Sequence, residues 1–161
     1  MNDESFRTTL SVEATPDQAF TAINDVRGWW SQDVAGSTDA VGAVFAFRGN
    51  HEGANVHRAR IEVTELVPGE RVVWQVLDNW LGFIDDQSEW TGTRIVFEIS
   101  PAAGGSEIRF QHLGLVPAYE CYDVCFDAWT FFLRDSLCAL IATGHGEPMP
   151  RLVSEEEVRS A

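Results

Sequence analysis

The sequence predicts an α+β domain in which a curved antiparallel sheet of about six strands wraps on one long C-terminal helix, with two short helices after the first strand. Three observations predict it. Ala118 to Thr143 is periodic at the helical spacing, and five stretches between Val44 and Leu113 read as strands, four of them by alternation and Arg71 to Leu77 by its largely apolar run. Between a first alternating stretch and those five, Thr15-Pro16-Asp17-Gln18 combines an N-cap residue, a first-turn proline and a Gln three residues on.

Phe6 to Glu13 sets Phe6, Thr8, Leu10 and Val12 against Arg7, Thr9, Ser11 and Glu13, the pattern of a strand with its first set inward. The capping box then starts a helix over Pro16 to Asn24. A second short helical piece follows from Asp25 and ends at the adjacent Trp29 and Trp30. Val44 to Arg48 places Phe45 and Phe47 on one face, and His57 to Leu66 places His57, Ala59, Ile61 and Val63 on one face. After the Pro68-Gly69 turn, Arg71 to Leu77 is a largely apolar strand around Trp74. Thr93 to Ile99 and Glu107 to Leu113 form the last two strands, with Gly104-Gly105 as their hairpin and Ile108, Phe110 and His112 on one face.

In the final helix Tyr122, Cys125, Phe126, Trp129, Phe132, Leu133, Leu137 and Leu140 share one face, and Glu120, Asp123, Asp127, Thr130 and Arg134 form a polar stripe. Pro117 suits its first turn and Gly144 its stop. At 1.5 Å per residue it would span roughly 39 Å, the breadth of a small domain. An apolar face this aromatic suits a broad sheet as its partner. Two connections are longer than a hairpin needs: the polar Gly49 to Asn55, and Asn79 to Thr91, which carries Trp80, Leu81, Phe83, Ile84 and Trp90. The second reads as a rim or lid.

With 161 residues, 45% of them hydrophobic, one domain over residues 1–150 is expected, followed by a charged tail over 151–161. A formal charge of −14, from 25 acidic residues against 11 arginines, argues against nucleic acid and against an anionic membrane as partners. Three cysteines (121, 125 and 138) all fall on the long helix. Their odd count and the acidic N-terminus predict reduced thiols and a cytoplasmic location.

The order of elements and its punctuating residues together resemble the helix-grip domains of the START-like (SRPBCC) superfamily, whose fold is that of the birch-pollen allergen. The residues are Ala14-Thr15-Pro16 with Ala19-Phe20, Trp29-Trp30, Gly42 to Phe47, Glu65-Leu66-Val67-Pro68-Gly69-Glu70-Arg71, Glu89-Trp90-Thr91-Gly92-Thr93, His112-Leu113-Gly114 and, in the last helix, Trp129, Leu133, Leu137 and Thr143-Gly144. Within the superfamily the chain is most similar to the branch of homologues of the activator of the heat-shock chaperone ATPase. The resemblance covers residues 5 to 148. It implies an antiparallel sheet gripping the C-terminal helix, with an apolar cavity between them. It does not imply one function, since the superfamily holds carriers, receptors, cyclases and hydrolases.

Residues predicted to line that cavity are Trp29, Phe45, Phe47, His57, Trp74, Trp80, Phe83, Phe110, His112, Tyr122, Phe126 and Trp129. His57 and His112 fall on inward phases, where each could orient a ligand, act as acid or base, or be a hydrogen-bonded structural histidine. Cys121 and Cys125 stand four apart, but without further ligands they read as core residues. Asp85, Asp86 and Glu89 read as solvated loop charges, with paired carboxylates the alternative. No nucleophile motif, phosphate loop or dinucleotide fingerprint occurs, so neither cofactor nor metal is expected. Val124, Phe131 and Cys138, seven apart on the outward side, could form a homodimer seam. Three functions follow. The first is binding of a small hydrophobic ligand between sheet and helix; the second is a cyclase- or hydrolase-like enzyme using the same cavity. The third is a dimeric, co-chaperone-like interaction module with no ligand, which requires the aromatic residues to close on one another.

Overall fold

A computed structural model describes residues 5–51, 55–81 and 89–149 of the chain. Phe83, Asp85, Asp86 and the tail over 151–161 lie outside the described residues. The elements are β1 (Phe6–Val12), α1 (Pro16–Asn24), α2 (Val26–Trp29), β2 (Val34–Ala35), β3 (Val44–His51), β4 (Asn55–Val67), β5 (Arg71–Leu81), β6 (Arg94–Ala102) and β7 (Gly105–Leu113). The C-terminal helix follows as α3 (Tyr122–Phe131), a π-helical segment (Phe132–Leu137) and α4 (Cys138–Thr143).

All strands form one antiparallel sheet in the order β1-β7-β6-β5-β4-β3-β2. The hairpin chain from β3 to β7 runs in sequence order, and β1 closes on β7 with Phe6 opposite His112. The sheet and the helix that it grips form the expected helix-grip fold. A seventh strand, the two-residue β2, extends the edge by pairing with Ala46 and Phe47 of β3. So short a piece has no alternation to read.

The capping box is present in full. Gln18 donates its N–H to Thr15 Oγ1 (3.1 Å), and Thr15 donates its own N–H to Gln18 Oε1 (2.9 Å). At the far end Gly144 takes φ +85°, the left-handed stop that a glycine adopts without strain.

Strand β5 and the C-terminal helix differ from their predicted extent. Asn79 to Leu81 belong to β5, because backbone pairing with His57 to Ala59 continues the ladder past a register shift at Arg60/Ile61. The helix begins at Tyr122, not Ala118. Its middle is π-helical, and the wider i→i+5 turn between Phe131 and Cys138 takes Cys138 off the line of Val124 and Phe131, which both lie in α3. Cys138 instead packs, half-buried, against the core.

Candidate functional site

The inward side chains of the sheet meet those of α2 and α3 in a set of aromatic rings. Trp30, from the end of α2, is the hub. It stacks on Phe47 with centroids 4.1 Å apart and on Trp74 at 6.1 Å, and it meets Trp129 at 4.9 Å and Trp90 at 6.4 Å. Phe97 packs edge-on to Trp29, Trp74 and Phe110, and Phe45 edge-on to Trp74.

Trp29, Phe45, Trp74, Phe110 and His112 expose 0% of their surface, Phe47 1% and Trp129 2%. A void that admitted water would leave accessible surface on its walls. These seven predicted cavity residues therefore pack as a closed core.

The other members of the predicted lining lie elsewhere. Trp80 is 44% exposed at the end of β5, because its phase in the extended strand points outward. Phe126 is 44% exposed and touches the core only at its rim, edge-on to Phe6 at 5.2 Å. Tyr122 is half-buried beside it. His57 is half-buried, 5.6 Å from the Phe47 ring.

His112 is fully used. The Trp129 indole N–H donates to its Nδ1 (3.1 Å), which leaves the proton on Nε2 to be donated to Thr93 Oγ1 (2.8 Å). The hydroxyl in turn donates to the Trp90 carbonyl. Burial pushes its pKa down to about 3, so the ring is neutral at physiological pH. Both nitrogens are occupied, and no accessible surface lets a substrate reach them. The chemistry open to His112 here is structural: it ties β7 to the segment before β6 and to α3.

Glu89 departs from its reading as a solvated charge. Its side chain is buried at 6% exposure and accepts the N–H groups of Glu120 (2.8 Å) and Cys121 (3.0 Å). It thereby satisfies backbone donors at the entry to α3 and binds that helix to the segment before β6. The Cys121 thiol is pushed up by its hydrogen bond with Cys125, by burial, and by Glu89, so it is held as an unreactive thiol. Among the described residues no group of three or more His, Cys, Asp or Glu could hold a metal ion.

Ser136, in the π-helical segment, is buried, donates to the Trp29 carbonyl (2.6 Å) and accepts the Glu147 N–H (2.7 Å). No sequence signal marks it, since a lone Ser on a helix is ordinarily a surface residue.

Among the described residues, two indole donors of the ring set have no partner. Trp74 Nε1 and Trp90 Nε1 both lie inside the ring set without an acceptor. Their rings flank Trp30.

The family profile described as "Activator of Hsp90 ATPase homolog 1-like protein" matches residues 17–142. The chain belongs to this family. No curated protein sequence matches it. Among solved structures it is similar to the Aha1 dimer from Colwellia psychrerythraea at 23% identity and TM-score 0.67, over 88% of this chain and 98% of that one. A protein from Chromobacterium violaceum matches at 18% identity and TM-score 0.64, over 84% and 96% of the two chains. One from Rhizobium leguminosarum matches at 14% and 0.66, over 85% and 93%. At these identities the likenesses establish the fold.

As in other members of the activator-homologue family, the fold is an antiparallel sheet against a C-terminal helix, and membership is compatible with a ligand-binding or an interaction module. In this chain the outer surfaces carry large apolar groups: Trp80 on the sheet, Phe126 and Phe131 (39% exposed) on α3. A solvent-open groove of about 430 Å³ lies outside the grip, between Asp17, Gln18, Thr21, Ala22 and Asp25 on the α1 side and Leu140 and Ile141 of α4. No helix among the described residues is long and apolar enough to cross a membrane.

Proposed function

We propose that this member of the activator-homologue family works as a protein-interaction module, with the aromatic interior as its rigid scaffold and the outer faces as its working surface. The observation that carries the reading is the absence of accessible surface on the central rings, while three large aromatic side chains stand outside. A binding protein for a preformed cavity needs space between sheet and helix, and here Trp30 occupies it. A homodimer is one form that the interaction takes in the family, since the similar Colwellia protein is a dimer. Phe131, exposed on α3, belongs to such a contact, whereas Cys138 is turned toward the core.

Native mass spectrometry of the purified chain, before and after denaturation, tests this reading. It should show a chain free of co-purified small molecules. A stoichiometric apolar compound released on denaturation would overturn the proposal.

A second reading has one observation in its favour. The unpartnered Trp74 and Trp90 N–H donors each cost about 1–3 kcal/mol when buried. An apolar ligand carrying a carbonyl, admitted by displacement of Trp30, would satisfy them. This reading predicts that apolar ketones raise the melting temperature more than hydrocarbons of the same shape, and that Trp90→Phe removes the difference.

A further inference from the structure

On the outer face of the sheet, β3 and β4 bring arginines together on a chain whose net charge is −14. Arg48 stands directly opposite Arg58 across the β3–β4 ladder. Arg60 lies two residues further along β4, on the same face. Side chains opposite one another have Cβ atoms about 5 Å apart, and like charges in that position repel. The flanking members are compensated. Arg48 donates through Nε and Nη2 to the Asp33 carboxylate (3.2 and 2.9 Å), and Arg60 donates to Asp78, opposite it on β5.

Arg58, between them, faces Trp80 across the β4–β5 ladder. Its guanidinium lies 5.8 Å from the centre of that ring. No carboxylate pairs with Arg58 among the described residues. Glu62, the other acidic residue of β4 on this face, stands opposite Val44 and Gln75, beyond Arg60. Trp80 is the exposed member of the chain's six tryptophans.

We infer that Arg58 and Trp80, with Arg48 beside them, form a docking surface for an acidic, aromatic-bearing segment of a partner protein. The carboxylate would pair with the planar Arg58 fork, which matches it in two parallel hydrogen bonds. It would also offset the Arg48–Arg58 repulsion, and the partner's aromatic group would cover Trp80. The chain's acidity does not prevent this. At physiological salt, charge beyond about 8 Å is largely screened, so the contact zone sets the sign of recognition. A nucleic acid, in contrast, would run off the patch onto an acidic surface. The inference rests on the interaction-module reading and names the partner's chemistry.

The test uses the full chain and the synthetic peptide acetyl-Glu-Glu-Phe-Glu-Glu-Phe-amide, followed by calorimetry and by the emission of Trp80, the tryptophan open to solvent. Saturable binding should weaken at least tenfold in Arg58→Glu and in Trp80→Ala. It should change less than threefold in Arg109→Glu, which makes the same charge change at an exposed position of β7. Equal loss in Arg58→Glu and Arg109→Glu would overturn the site, as would the absence of saturable binding to the unmodified chain, or a single-stranded oligonucleotide binding this face in place of the peptide. These results leave the interaction-module reading standing, because native mass spectrometry tests that reading separately.

Discussion

Acidification should unfold this protein through His112, and by an amount that the structure sets. The buried ring has its pKa lowered from the ordinary 6.5 to about 3, and it spends its Nδ1 lone pair on the Trp129 N–H. Between those two values the unfolded chain binds a proton that the folded chain does not. The stabilising contribution is therefore complete above about pH 6.5 and is lost as the pH falls toward 3. Each pH unit inside the window costs about 1.4 kcal/mol, so acidification from pH 6 to pH 4 removes about 3 kcal/mol. That is a large share of the roughly 5–15 kcal/mol by which domains are stable.

The assay is urea unfolding at half-unit steps from pH 7.5 to pH 4, on the wild type and on His112→Gln. Glutamine can accept from Trp129 and donate to Thr93 without titrating, so the difference between the two curves isolates the histidine from the carboxylate background. The wild-type curve should fall more steeply by about one proton. In NMR the His112 ring should show no titration above pH 4.5. Parallel unfolding curves, or a His112 ring that titrates near pH 6.5, would refute the reasoning.

Further outcomes follow from the same structure. Glu89→Ala leaves two N–H groups at the start of α3 without their acceptor and should cost about 2–4 kcal/mol by chemical denaturation, with Glu89→Gln milder. Trp129→Phe should cost about 1–3 kcal/mol more than Trp90→Phe, since both shrink a ring but only the first breaks a hydrogen bond. Gly146→Ala would drive a methyl group into the Gly28 carbonyl and should lower stability by about 1–3 kcal/mol, measured by thermal unfolding. Phe131→Glu should convert any dimer seen by light scattering to monomer without lowering the melting temperature of the monomer.

Much of the architecture is local in origin and for that reason was legible. The Thr15–Gln18 box needs four adjacent residues, and the inward faces of β1, β6 and β7 follow from a period of two. The long C-terminal helix follows from its spacing and its Gly144 stop. Where the reading departed from the molecule, the deciding partner was distant in sequence. Glu89 looked like a loop charge because its two N–H donors come from residues 120 and 121. Trp80 looked like part of a lid because its strand is prolonged only by pairing with Arg58 on β4. The π-helical turn in the C-terminal helix accompanies Ser136 reaching back to Trp29, more than a hundred residues away.

The sequence by itself determined which residues of β1, β3, β6 and β7 face inward, since alternation assigns each side chain of a strand a direction. Only the tertiary structure decided whether those inward rings enclose a space or fill it. That depends on the summed volume and mutual angle of side chains from α2, four strands and α3, and no local pattern encodes it. It also decided that Arg48 and Arg58 are neighbours, because cross-strand register is a property of two strands held together.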